Sequence, residues 1–565
     1  MPLDPDEIRT PPLPEPEPDE LAPAPALDEP ASTNPSARPT ERTIDRLDDQ
    51  AAAQASARVR GQPAGVAPHP FHPPPSLPAH LHGLEPDAGT SAEWMRQVAA
   101  FVLDLLREIP QRPAQGLSGE VAERLAARLS QPIPERPLEG GLTRALEIVG
   151  GSMDAALETA GPGYLAYVPG GGLFATGLAD LIADVGNRFT GYSMAAPGWV
   201  RLEQDVLRWL GQQFGYGPRA EGLLTSGSSL ANFGALVTAR FHHFGDSGDY
   251  SRALVYTSTQ AHHSIAKALT LAGIPRANLR AVAVDEMFRL DVDELARMIA
   301  ADRHRGLRPF CVIAAAGTTN TGAIDPMDEL ADLCAREDLW LHVDGAYGGA
   351  FVLSPSGRAR LRGIERADSI CFDPHKGMFL PYGTGCLLVR EGQRLAAAHA
   401  GSADYLRDLE GEPTSPGTLG PELSRPFRGL RLWLPLMLHG AQAFRDALEE
   451  KLALAHLCAE GLDRRIAAGA PIELVARPQL STLAFRLRRR EAESLAAWNS
   501  RNGALLEAIN QRGRAFLSST ELPVEGADGA VENAVTLRVC VVSFRTHRER
   551  IDALLEDIDL ALAQV

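Results

Sequence analysis

The chain has 565 residues, 44% of them hydrophobic, and a formal net charge of −17. At roughly 100–200 residues per domain it holds about three to five structural units, and its acidic balance excludes non-specific nucleic-acid binding, because no basic field is present to neutralise phosphates. The six cysteines form no CxxC pair and several sit in apolar runs, which points to reduced, cytoplasmic usage rather than a disulfide framework or a zinc site, and no metal centre is expected.

In chain order, residues 1–88 come first, with 20 of the 43 prolines and a single aromatic residue, Phe71. Such a segment cannot bury enough apolar surface to offset its ordering entropy, so a disordered acidic Pro-rich tail is expected. PPLPEPEP and HPPPSLP can adopt polyproline II and could bind a partner; a solvated tail without a role is the plainer reading. The acidic start is not a secretory signal. No run of about 18 apolar residues occurs, so no membrane span is expected.

Residues 89–165 read as an N-terminal helical segment. Thr90-Ser-Ala-Glu93 has the capping-box pattern ahead of WMRQVAAFVLDLLREI, and SGEVAERLAARLSQ is a second helix. Over 166–440, short apolar runs (ALVYTS, LRAVAVD, FCVIAAAG, WLHVDGAY, SICFDPHK, GCLLVR) alternate with helical stretches such as SSLANFGALVTARF and MDELADLCARED. Alternation of this kind predicts the α/β class, with a central, mostly parallel sheet. From 441 to 565, two helices accompany strands STLAFRL, AFLSSTE and TLRVCVVSF before a last helix, which predicts a small α+β C-terminal domain.

In parallel α/β sheets ligands sit at the carboxyl ends of strands. After ALVYTS come Gln260, His262 and His263; after FCVIAAA come Gly317, Thr318 and Thr319; after WLHV comes Asp344; after SICF come Asp373, His375 and Lys376. The turn Gly227-Ser228-Ser229 opens a predicted helix. It is either a plain N-cap or an anion site, since free backbone N–H groups and the helix dipole favour negative charge there. Only Lys267, Lys376 and Lys451 are lysines. Lys376 ends an apolar strand, where a lysine is costly unless paired or used covalently. Lys267 and Lys451 lie in predicted helices and read as ordinary solvated lysines. A phosphate turn, a strand-end carboxylate, a strand-end lysine and a histidine together match pyridoxal 5'-phosphate (PLP). Its aldehyde condenses with a lysine, its phosphate needs an anion nest, and a carboxylate keeps its ring nitrogen protonated.

The segments GYLAYVPGGG, TSGSSLANFGALVTAR, QAHHSIAKAL, GTTNTGAIDPMDEL, LHVDGAYGGAF, ADSICFDPHKGMFLPYGTGCLLVR and LSRPFRGLRLW span 163–434. In them the chain resembles the PLP-dependent group II amino-acid decarboxylases of aromatic-L-amino-acid, glutamate and diaminobutyrate type. The resemblance implies the type I PLP fold and a homodimer with shared active sites, the neighbour contributing from the YVPGGG segment and the loop after 400. It makes Lys376 the cofactor-bearing lysine, Asp344 the ring-nitrogen partner and His262 the stacking histidine; these three are the expected catalytic residues. Ala346 would pack on the ring's other face. Ser228, Ser229 and His375 would contact the phosphate or cofactor, Asp373 would sit near the phosphate, and Thr318 or Thr319 near the ring oxygen.

Decarboxylation of an L-amino acid to the amine and CO2 is therefore the expected activity. Three departures stand out. No aromatic residue lies between Tyr405 and Leu423, where the family's loop carries a tyrosine implicated in protonating Cα. That keeps open another PLP activity on the same scaffold: oxidative deamination to an aldehyde, a lyase or a transaminase. His263 is then either a replacement donor or an outlying residue. Gly170-Gly171-Gly172 implies a roomier pocket wall or close backbone approach, and Gly377 follows the lysine where Trp is common. A PLP-binding regulatory protein whose functional part is the tail is the reading from a different class.

Overall fold

Seven strands build the central sheet: β1 (Glu221–Thr225), β2 (Ala253–Ser258), β3 (Leu279–Val282), β4 (Arg308–Ala315), β5 (Trp340–Asp344), β6 (Ser369–Phe372) and β7 (Gly385–Val389). The structure, a computed structural model, describes residues 84–117, 119–246, 248–399, 415–526 and 531–564. Residues 1–83 of the expected tail, and Tyr405 with the loop after 400 up to residue 414, lie outside the described residues, whereas Asp87 and Ala88, at the end of the expected tail, already belong to the first helix.

The strand order is β1-β7-β6-β5-β4-β2-β3. The strands β3, β2, β4, β5 and β6 run parallel, while β7 pairs antiparallel with both β6 and β1. The reversal at β7 has a local cause. The link from β6 holds only one helical turn, Pro374–Gly377, and not the full helix that usually forms the crossover to a parallel neighbour.

Strands covered on both faces should be mostly apolar, and they are, with polar residues such as Ser258, His342 and Ser369 as exceptions. Successive residues alternate between two cores. Leu254, Tyr256, Val312, Leu341, Val343 and Phe372 face one, under helices Pro197–Gln213, Val292–His304 and Met327–Arg336. Val255, Cys311, Ile313, Trp340, Cys371 and Leu387 face the other, under helices Ser228–Phe244 and Ser264–Leu271. All six cysteines are buried and free.

The helix Gly429–Ala467 breaks at Gly440, whose backbone leaves helical geometry (φ 70°, ψ 157°). Its second limb covers a four-stranded antiparallel sheet, ordered β10-β11-β9-β8: β8 (Ile472–Ala476), β9 (Thr482–Leu487), β10 (Ser518–Glu525) and β11 (Val531–Cys540). Helices Leu495–Asn510 and Arg548–Leu562 complete that layer. Leu165 is packed into the same core, and its backbone bonds to Phe516 and Cys540. This threading brings the next residues, Tyr167 and Val168, to the carboxyl edge of the first sheet.

The N-terminal helices begin earlier than the capping-box pattern suggests. Asp87 caps Ala88–Glu108 by accepting from the Thr90 N–H, so Thr90 lies inside the helix, and Glu93 bonds Gln97 instead. Helices Ala88–Glu108, Gly119–Leu129 and Gly141–Asp154 bury none of their own side chains.

Candidate active site

A cavity of about 390 Å³ opens where the carboxyl ends of the central strands meet β10 and β11. All ten residues singled out in the sequence line it: Ser228, Ser229, His262, Thr318, Thr319, Asp344, Ala346, Asp373, His375 and Lys376.

Asp373 is the hub on one side. Its Oδ1 accepts from the Ser228 N–H at 2.7 Å and from Ser228 Oγ at 2.9 Å, which ties β6 to the start of helix Ser228–Phe244. Its Oδ2 lies 2.9 Å from Lys376 Nζ and 3.7 Å from His375 Nε2. His375 Nδ1 meets the Thr384 carbonyl at 2.8 Å, so this nitrogen carries a proton. Burial alone would push the Lys376 ammonium down. Asp373, with Asp344 beyond it, more than offsets this and holds Lys376 above the ordinary lysine value.

On the other side, Asp344 Oδ1 accepts from the Ala346 N–H at 3.0 Å and Oδ2 from Asn232 Nδ2 at 3.1 Å. His262 Nδ1 is 2.8 Å from Ser264 Oγ and accepts the Ser264 N–H at 3.3 Å, which leaves Nε2 as the protonated nitrogen of the neutral ring. Burial depresses the His262 pKa. The two threonines differ. Thr318 is buried, with its hydroxyl bonded to Thr321 and to the Ala323 N–H, whereas Thr319 is exposed to the cavity.

Four features were not anticipated. Ser518, Ser519 and Thr520 of β10 line the cavity, and so does Arg538 of β11. Arg538 is 3% exposed; its Nη1 reaches the Tyr167 carbonyl at 2.7 Å, while Nε and Nη2 are buried without a partner. Its signal was in the sequence, since an arginine inside the apolar run TLRVCVV is as costly as Lys376 unless something uses it. Tyr167 and Val168 line this chain's own cavity, so YVPGGG serves the subunit that carries it rather than only a neighbour.

The glycines are packing devices, not a roomier wall. The Gly171 N–H donates to the Leu380 carbonyl at 3.1 Å and the Leu173 N–H to the Phe379 carbonyl at 3.0 Å; a Cβ on Gly171 would overlap the Phe379 backbone. Gly377 is likewise required, because its Cβ would overlap that of Ala350. His263 is exposed, rests against the His262 ring (centroids 4.1 Å apart) and does not line the cavity. Lys267 is exposed as expected, but Lys451 is not. It is 0% exposed, with Nζ bonded to the Thr546 carbonyl and 2.8 Å from Glu450.

The donor set fits a PLP-sized anion with an aldehyde: an amine, a facing carboxylate, an imidazole, a serine-rich helix start and a buried guanidinium with two unsatisfied nitrogens. Comparison with known proteins agrees. Residues 153–488 match the pyridoxal-dependent decarboxylase conserved domain. The chain is 35% identical to an aromatic-L-amino-acid decarboxylase of Bacillus atrophaeus, over 83% of this chain and 97% of that one. Oryza sativa TDC, solved with PLP and tryptamine, superposes with a TM-score of 0.76 at 26% identity, covering 85% of this chain and 99% of that one. Mouse CSAD gives 0.75 at 25%, covering 84% and 99%. The chain belongs to the pyridoxal-dependent decarboxylase family. It is an amino-acid decarboxylase that uses PLP, and the aldehyde-forming alternative is not favoured.

Proposed function

We propose that this cavity decarboxylates an aromatic L-amino acid to its amine. The observation that carries the placing is the convergence of strand-end residues from β2, β4, β5 and β6 with a helix start around one cavity. The substrate class rests on likeness to the Bacillus enzyme over nearly its full length. When bound, PLP supplies an electron sink for the bond to the departing carboxylate.

Lys376 would bear the cofactor through its aldehyde, with Asp373 holding Nζ in place until attachment. Asp344 would pair with the ring nitrogen, His262 would stack on one face and Ala346 leaves room on the other. Ser228, Ser229 and His375 would hold the phosphate, and Thr319, the exposed one of the two threonines lining the cavity, the ring oxygen. The unsatisfied Arg538 nitrogens suit the substrate carboxylate, a charge-assisted contact that would orient it.

We place the active form as a cytoplasmic homodimer. The helix Phe174–Gly186 supports this. It buries Ala175, Ala179 and Ala183 against its own chain and still presents Phe174, Leu178, Leu181, Ile182 and Val185 to solvent, the last 79% exposed. A second apolar face beside the one already buried is normally covered by a partner. Free buried cysteines suit a reducing compartment. No helix among the described residues is long and apolar enough to cross a membrane.

The test is mass spectrometry of products after the PLP-loaded protein meets pooled L-amino acids in air. An arylalkylamine, lighter than one substrate by CO2, is expected. A non-aromatic amine would replace the substrate class, and an aldehyde with ammonia and peroxide would overturn the amine-forming reaction.

A further inference from the structure

Behind Asp344 runs a chain of buried side chains that touches no part of the cavity until its last member. Trp340, Ser369, His342 and Asn232 are each at most 1% exposed. Trp340 Nε1 lies 2.8 Å from Ser369 Oγ; Ser369 Oγ lies 2.8 Å from His342 Nδ1; His342 Nε2 lies 2.8 Å from Asn232 Oδ1; and Asn232 Nδ2 lies 3.1 Å from Asp344 Oδ2.

The direction of every bond follows from its last member. A carboxylate only accepts, so Asn232 turns Nδ2 to Asp344 and Oδ1 to His342. His342 Nε2 therefore carries the ring hydrogen, Nδ1 of the neutral ring accepts from Ser369 Oγ, and Ser369 Oγ accepts from the Trp340 indole, which only donates. Cys371 Sγ, 3.1 Å from Asn232 Oδ1, adds a second donor to that oxygen and opposes a flip of the amide. Burial, which drives the His342 pKa down to about 4, keeps the ring neutral, as this polarity requires. The other Asn232 N–H makes a long, 3.5 Å contact with Ser264 Oγ, the hydroxyl that meets His262 Nδ1.

We propose that Trp340, Ser369, His342 and Asn232 are positioning residues, a one-way donor relay that fixes the Asp344 carboxylate for the cofactor's ring nitrogen and the His262 ring above it. The inference rests on the reading of Asp344 as the ring-nitrogen partner. None of the three outer members touches the cavity, so their effect must pass through Asn232.

The test uses the full chain and three readouts: the PLP dissociation constant, the visible spectrum of the bound cofactor, and thermal stability of the apoprotein. Ser369→Ala removes one hydroxyl from the middle of the relay without enlarging any side chain. It is expected to weaken PLP binding about three- to tenfold and to shift the visible band. Asn232→Ala should do more, and the double variant should match Asn232→Ala alone, because residues acting through one another are non-additive. Trp340→Phe is the second variant; it removes only the donor to Ser369 Oγ at the far end of the relay, and a smaller change of the same kind is expected. Additive effects, or a Ser369→Ala protein that loses stability while its PLP affinity and spectrum stay unchanged, would overturn the relay. Asp344→Ala separates the two readings. A large effect there with none at Ser369 sinks the relay alone, and no effect at Asp344 sinks both.

Discussion

Three lysines in one chain stand in three different environments, and their substitutions should read out differently. Lys267 is exposed, and Lys267→Ala should change neither PLP attachment nor stability. Lys376→Ala should abolish covalent attachment of PLP, seen as loss of cofactor mass on the protein denatured after borohydride reduction, which the parent retains; retained mass in the variant would refute its role. Lys451 is a structural clasp. Its ammonium is lowered by burial against the pull of Glu450, and it ties the second limb of Gly429–Ala467 to Thr546. Lys451→Met leaves that carbonyl unsatisfied, so a loss of about 1–3 kcal/mol is expected, measured by denaturant unfolding, with PLP still attached. Asp325 gives a pH signature. It is 1% exposed, accepts the Leu290 and Ala315 N–H groups and forms no ion pair among the described residues, and burial, only partly opposed by these N–H groups and by Arg289, raises its pKa from 3.8 to about 6. A raised folded pKa favours folding fully below about pH 4, and that contribution is lost as pH rises through 6. Two units correspond to about 3 kcal/mol. The stability of Asp325→Asn relative to the parent should therefore improve by up to that amount between pH 4 and pH 7, and a pH-independent difference would contradict it.

At the scale of elements, the strands were the most legible part, because a strand buried on both faces leaves an unbroken apolar run that helices do not. β2 falls on ALVYTS residue for residue. β1 and β8 were not read, for opposite reasons. EGLLT is too short to separate from the helix that precedes it, and IELVA is only partly buried, so its pattern is diluted. The site was legible where chemistry follows a strand end. It was illegible where the second sheet supplies the wall, since nothing local in SSTE or TLRVCVV says which strand end of another layer they will face. The glycine run shows the same limit. Sequence admits either a pocket wall or close approach; only the register of residues 171–173 against 379–380 decides for the latter. Gly171→Ala should accordingly cost about 3 kcal/mol or more, with weakened PLP binding, because its neighbour is backbone and cannot step aside. Gly170→Ala meets only the Tyr382 ring, at 3.0 Å, and should be much milder. Equal effects in thermal melts would refute the distinction.

At the scale of the whole molecule, apolar surface is left over where a finished protein would have little. The three N-terminal helices expose Trp94, Met95, Leu103, Val121 and Val149, and Phe174–Gly186 adds a stripe at 174, 178, 181, 182 and 185, the spacing of one helix face. A stable interface buries on the order of 1,200–2,000 Å² in total, and four amphipathic helices can supply it. The stripe is also close in sequence to the catalytic wall: Leu173, its N-cap, bonds to Phe379, three residues beyond Lys376. In the proposed dimer, assembly and site geometry would thus be coupled through a few residues of backbone. Placing charge on the stripe, as Ile182→Glu with Val185→Glu, touches no internal contact of Ala175, Ala179 or Ala183. It should yield a folded monomer by light scattering, with native far-ultraviolet circular dichroism and a decarboxylation rate at least tenfold lower. A persisting dimer would mean that another face mediates assembly, and a monomer of full activity would show that each chain completes its own site.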